Sequence, residues 1–184
     1  MFLVSTLIAT TFLLVSSKGS FLQKKMLFDF NSTADINSWK TVNDVVMGGV
    51  STSQVVIDAD GHGKFSGNVS TANNGGFASV RHQLNTLDIS GHSTVKIRLK
   101  GDGKNYQFRI KKNSSDYYSY ITTFPTSGSW QTISIPLKEM YPSFRGRKLN
   151  MPNFKSTSLE EIAFLIANKK NEPFELLIDK IEII

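Results

Sequence analysis

Cysteine is absent from the 184 residues, which excludes disulfides, thiolate metal centres and thiol nucleophiles together. Histidine is scarce: His62, His82 and His92 fall in separate segments with no second ligand at helical spacing, so a metal site would need residues that converge only in space. Neither Gly-x-Ser-x-Gly nor a P-loop occurs, and no carboxylate pair stands out as acid and base. Gly101-Asp102-Gly103 has no third glycine at the right spacing and leads into a strand pattern, so a phosphate would find no helix N-terminus there. With no nucleophile, metal cluster or cofactor loop in view, the chain reads as a non-enzyme without cofactor or metal. Basic residues never run five in a row, and the net charge of +6 with a pI near 9.5 gives only a mild preference for anionic partners. Nucleic acid is not among the partners expected.

What is present begins with a leader. Phe2 to Val15 is uncharged and apolar apart from a few Ser and Thr, and Ser16-Ser17-Lys18 follows with small residues suited to a signal peptidase. Residues 1–20 therefore read as a signal peptide or N-terminal anchor and place the protein outside the cytoplasm: in the periplasm or cell envelope, or secreted. The run is short for a membrane span, which needs ~20 apolar residues, so none is expected in the domain itself. The first 25 residues hold no Arg, which rejects a mitochondrial transit peptide.

From Met26 onward convincing helical periodicity is almost missing. Leu27-Phe28-Phe30, Ser53 to Ile57, Lys64 to Ser70, Phe77 to Leu84, Tyr117 to Phe124, Trp130 to Leu137 and Phe174 to Ile184 read as strands punctuated by turn signals. Asn73-Asn74-Gly75-Gly76 suits positive φ and a tight reversal. Val95, Ile97 and Leu99, then Tyr106, Phe108 and Ile110, alternate with polar residues on either side of Gly101-Asp102-Gly103, which reads as a half-buried hairpin. Such a hairpin would put Lys96, Arg98 and Lys100 on one face with Arg109 and Lys111, as an anion-binding patch or as a solvated face with counter-charges on other strands. Of the aromatics Tyr117, Tyr118, Tyr120 and Phe124, the last three are directed inward. Leu159 to Ala167 reads as one helical turn, with Ser158 and Glu161 as capping box, followed by a strand. About ten strands with frequent turns specify an all-β antiparallel sandwich or jelly roll, one domain over residues 26–184.

Composition explains Trp39 to Ser51 least. Asp44, the apolar triplet Val45-Val46-Met47, Gly48-Gly49 and Ser51 follow one another, and paired glycines imply either positive φ or close approach by something that a Cβ would exclude. A second glycine pair, Gly75-Gly76, precedes Arg81. An Asp44–Arg81 pair is expected to draw the two loops together, as a brace or as a polar pocket with a backbone floor.

The blocks Asn43-Asp44-Val45-Val46-Met47-Gly48-Gly49-Val50-Ser51, Phe65-Ser66-Gly67, Asn74-Gly75-Gly76-Phe77-Ala78-Ser79-Val80-Arg81 and Lys100-Gly101-Asp102-Gly103-Lys104-Asn105-Tyr106 stand in this order. With Trp39, Trp130, Ile135-Pro136-Leu137, Ser143-Phe144-Arg145-Gly146-Arg147 and Phe174 to Asp179, they make the chain resemble the complex I intermediate-associated protein 30 family. The resemblance implies a galactose-binding-like jelly roll, an architecture shared with many carbohydrate-binding modules. For mitochondrial members it implies help in assembling respiratory complex I, and no catalysis. Two functions follow: a chaperone-like assembly factor binding a protein client, such as a membrane-complex subunit, or an exported module binding a glycan or another anionic ligand. The candidate surface is Asp44, Met47, Gly48, Gly49, Ser51, Gly75, Gly76, Arg81, Asp102, Arg109 and Arg145.

The leader yields the first prediction. N-terminal sequencing of the protein from its source should find a start near Ser17 or Ser20; an intact Met1 in a soluble cytoplasmic fraction would refute export.

Overall fold

The computed structural model describes residues 23–184, so the leader expected over residues 1–20 lies outside the described residues. The strands are β1 (Lys25–Asp29), β2 (Trp39–Thr41), β3 (Thr52–Ile57), β4 (Gly63–Val69), β5 (Ala78–Asp88), β6 (Thr94–Lys100) and β7 (Asn105–Lys111). After them come β8 (Ser119–Pro125), β9 (Gln131–Pro136), β10 (Tyr141–Phe144), β11 (Arg147–Lys148), β12 (Ser158–Ile166) and β13 (Glu172–Ile183). They form two antiparallel sheets. One has the order β3-β4-β13-β6-β9, with β1 also on β13, and the other has the order β11-β10-β8-β7-β12-β5-β2.

The sheets close face to face because alternation supplies each with one apolar side. Val95, Ile97 and Leu99 of β6, with Phe174, Leu176 and Ile178 of β13, meet Tyr106, Phe108 and Ile110 of β7 and Ile162 and Phe164 of β12, all buried. Each such side chain removed from water contributes about 1.5–3 kcal/mol. Tyr118, Tyr120 and Phe124 turn inward as expected. Trp39 closes one end of the core, packed edge-on against Phe28 at 5.4 Å and parallel to His82 at 5.1 Å. The all-β antiparallel jelly roll read from the sequence is the observed architecture.

Three local expectations are corrected. Strands β6 and β7 are not a hairpin: β6 pairs with β13 and β9, and β7 with β12 and β8, so the chain crosses between sheets at Gly101-Asp102-Gly103. Alternation reports which face of a strand is buried, and both strands of such an arch bury theirs, so the pattern cannot tell an arch from a hairpin. Asn73 to Gly76 likewise carries the chain from β4 to β5 in the opposite sheet, with Asn73, Asn74 and Gly76 at positive φ. Residues 158–166 are strand throughout. Glu161 sits in register between Gln83 and Lys111 rather than capping a turn, and Ile162 to Ile166 is buried on both faces as a central strand.

Phe164 has no exposed surface and packs on Phe108 at 5.4 Å and Trp39 at 6.2 Å. Phe164→Ala should cost about 3–5 kcal/mol, read as a lower urea midpoint by circular dichroism. An unchanged midpoint would mean that Phe164 does not pack in the core as described.

Candidate functional site

The chain from β2 to β3 makes a single 3-10 turn, Asp44–Met47, that Gly48 ends in the left-handed region at φ +89. The Asp44 carboxylate points into the protein and is fully buried. Its Oδ1 accepts the Ser51 amide at 2.9 Å. Its Oδ2 accepts the Ser51 hydroxyl at 2.5 Å and the amides of Gly76 at 2.6 Å and Phe77 at 3.2 Å. A Cβ on Gly49 or on Gly75 would run into that carboxylate, so each glycine pair contains one residue required by close approach rather than by φ. Burial alone pushes the Asp44 pKa up, but the Ser51 hydroxyl and the amides of Gly76, Ser51 and Phe77 together outweigh it and hold the carboxyl below its usual value.

This arrangement replaces the expected Asp44–Arg81 pair. The Ser51 hydroxyl and the amides of Ser51, Gly76 and Phe77 already fill the carboxylate's acceptor sites, and Arg81 makes no ion pair among the described residues. The two loops are still drawn together, by backbone donors instead of a guanidinium. With its acid turned inward, the loop turns its apolar residues out: Val45, Val46, Met47 and Val50 are 61%, 72%, 48% and 51% exposed.

Beside this tip, on the outer face of the seven-stranded sheet, lies a cavity of about 380 Å³. Its floor follows from register. Arg81, Ala163 and Arg109 stand directly opposite one another on β5, β12 and β7, so they share a face, and the small Ala163 leaves room between two arginines. Gln107 Oε1 fixes the Arg109 head, accepting from Nε at 3.0 Å and Nη2 at 2.6 Å. Burial and, after it, the charge of Arg81 pull the Arg109 pKa down to about 10; it stays charged at neutral pH, without a carboxylate partner among the described residues. Lys111 donates to the Ser114 carbonyl at 3.1 Å and stands 3.9 Å from Glu161. Across the cavity, Arg145 covers the Phe144 ring at 5.3 Å, and Phe144 meets Tyr117 edge-on at 5.2 Å. No Asp or Glu lines the cavity among the described residues.

Of the residues expected at a site, Met47, Gly75, Gly76, Arg81, Arg109 and Arg145 line this one cavity. Asp44, Gly49 and Ser51 are buried beneath the tip as its support, and Gly48 lies in the tip itself. Asp102 belongs elsewhere: at the β6–β7 crossing it accepts from Lys104, from the Tyr106 hydroxyl and from the Glu175 amide. The expected five-cation patch is split between sheets. On the six-stranded sheet Arg98 pairs with Asp179 at 3.0 Å and Lys96 stands opposite Glu182, which Lys24 binds at 2.8 Å, so another strand supplies counter-charge to part of that half. Lys111, Tyr117 and Phe144 also line the cavity; Lys111 and Tyr117 lay in segments read as strands, Phe144 did not, and which strands would be neighbours was not readable. Asp58, Asp60 and His62 bring ligand atoms within 4.8 Å of one another, yet Asp58 Oδ1 already accepts the amides of Asp60 and His62 in a surface turn.

Residues 28–178 match the family described as complex I intermediate-associated protein 30. The chain is 26% identical to an uncharacterized protein of Schizosaccharomyces pombe over 169 residues, 79% of this chain and 77% of that one. In structure it is similar to the family 11 carbohydrate-binding module of Clostridium thermocellum solved with a β-1,3-1,4-mixed-linked tetrasaccharide. The TM-score is 0.66 at 22% identity, over 88% of this chain and 95% of the module. A low-affinity xylan-binding module from Roseburia intestinalis gives a TM-score of 0.52 at 13% identity, over 88% and 95%. At these identities the two modules show a shared fold and nothing finer.

Two outcomes test the clamp. In Asp44→Asn one acceptor oxygen becomes a donor, orphaning buried amides at about 1–3 kcal/mol each. The folded pKa is depressed, so the carboxylate's contribution is present above about pH 4 and is lost as pH falls through the folded value. The asparagine variant should therefore melt lower at pH 7 and lose less further stability than wild type on acidification below about pH 4. Arg81→Gln should leave the melting temperature unchanged or higher, because it removes repulsion from Arg109; a clear drop would restore the Asp44–Arg81 brace.

Proposed function

The chain belongs to the complex I intermediate-associated protein 30 family, and from that premise we propose that it is a non-catalytic assembly factor that binds a protein client. The contact surface is the Val45-Val46-Met47 tip with Val50 and the adjoining outer face of the seven-stranded sheet. One observation carries this reading: a buried, fourfold hydrogen-bonded carboxylate holds four apolar side chains out in water. Apolar residues held exposed by a rigid support suit an interface, since their ordering is complete before the partner arrives. Met, aromatic and Arg side chains around the adjoining cavity match the composition of protein interfaces, where acidic residues are depleted. The client is proposed to be a membrane-complex subunit, and the protein to work outside the cytoplasm.

The exported glycan-binding module is the second reading, favoured by Tyr117, which is 65% exposed at the cavity rim and offers a ring for a sugar to stack on.

Capture from native membranes separates the two. The wild-type chain should retain membrane-complex subunits, and Val46→Ser with Met47→Ser should retain about tenfold less at unchanged melting temperature, the effect of losing ~1.4 kcal/mol of contact. Equal capture by the variant, or polysaccharide as the retained material, would overturn the client reading.

A further inference from the structure

The two sheets treat their cations differently. On the outside of the six-stranded sheet Arg98 has Asp179, Lys64 has Glu175 at 2.6 Å and Lys24 has Glu182 at 2.8 Å. On the outside of the seven-stranded sheet Arg81, Arg109, Lys111 and Arg145 converge on one cavity, and among the described residues the one ion pair that any of them makes is Lys111 with Glu161 at 3.9 Å. Like charges held close together on one sheet face repel unless something anionic screens them. The Arg109 head is held at Nε and Nη2, so three of its five N–H donors remain for another acceptor.

We propose that this cavity is a carboxylate site that receives an acidic side chain of the protein client; this rests on the client-binding reading above. Arg81 and Arg109 stand two strands apart, roughly 9–10 Å between backbones, with Ala163 between them, so their heads flank a single planar anion. A guanidinium pair suits a carboxylate because each fork can donate two parallel hydrogen bonds. The surroundings favour a peptide over a sugar acid. Met47 connects the cavity with the apolar tip, while the ring on the Arg145 side, Phe144, has that guanidinium over its face instead of a bare platform for stacking. The matching segment in the client carries Asp or Glu next to apolar residues, the acid seated on the arginines and the apolar side chains on Val46 and Met47.

The test presents random heptapeptides on phage to the immobilised full chain, its Arg81→Gln/Arg109→Gln variant, its Arg81→Lys/Arg109→Lys variant and its Val46→Ser/Met47→Ser variant, each checked for an unchanged melting temperature. Wild type should enrich peptides with an acidic residue beside apolar ones. Replacing that acid by its amide should weaken binding tenfold or more, and binding should fall as salt rises. The glutamine variant should lose the preference for acid and the lysine variant should keep part of it. If unfolding compromises the double glutamine variant, single Arg81→Gln, which leaves the Arg109–Gln107 hydrogen bonds in place, gives the same reading. The same peptides enriched by wild type and glutamine variant, dependent on the tip, would overturn the carboxylate site and leave the client reading standing. No enrichment, with polygalacturonate retained instead, would overturn both.

Discussion

A carboxylate without water is the constraint on which the functional end of this protein depends. Asp44 is charged and fully buried, a state that costs several kcal/mol unless hydrogen bonds replace the lost hydration. The chain provides them from two loops, Ser51 from its own and the amides of Gly76 and Phe77 from the β4–β5 crossing. One glycine of each pair follows from that geometry, because a Cβ at Gly49 or Gly75 would occupy the space of the carboxylate. Ser51 extends the network by accepting the Ser70 amide at 2.9 Å, which ties the tip to the end of β4. The tip is thus braced against both sheets at once, and its apolar side chains have nowhere to go but outward.

The second constraint is charge. Strand β13 spaces Glu175, Asp179 and Glu182 so that cations of the six-stranded sheet meet acids across the ladder or at its edge. Strand β12, in the same central position in the other sheet, presents Ala163 and Leu165 to its neighbours Arg81, Arg109 and Gln107. Lys24, Lys64 and Arg98 are thus ion-paired on one outer face, whereas Arg81, Arg109 and Arg145 on the other make no ion pair among the described residues. Surface ion pairs contribute little to stability one by one, so the contrast matters less for folding than for what each face attracts.

The fold was legible because period-two alternation, glycine-rich turns and the missing helical pattern agree with one another. Sheet assignment was not. Val95 to Leu99 and Tyr106 to Ile110 show the same alternation whether they pair with each other or face each other across the core, and only long-range pairing with β13 and β12 decides it. The error passed to the charge patch, whose five residues divide between the two sheets. Residues 162–166 misled for a related reason: a strand covered on both faces has no alternation to show. At the site, the glycine pairs, Asp44, Ser51 and Arg81 were visible as local anomalies, but the pairing of Asp44 was not, since three of its four hydrogen bonds come from backbone amides that no side-chain pattern encodes. Lys111, Tyr117 and Phe144 come to the cavity from β7, the bend before β8, and β10, whose adjacency is a property of topology alone.

The same topology explains why the repulsion between Arg81 and Arg109 persists. Both arginines stand on strands whose register with β12 is fixed over several paired residues on each side, and slipping either by one residue would turn a row of core side chains to water. Backbone movement therefore cannot separate the charges, and Gln107 holds one guanidinium in place. What can still change is the occupant of the cavity. A core that needs its register for burial thereby keeps two cations close together on its outer face, and any anion that enters gains their combined field without the protein having to rearrange.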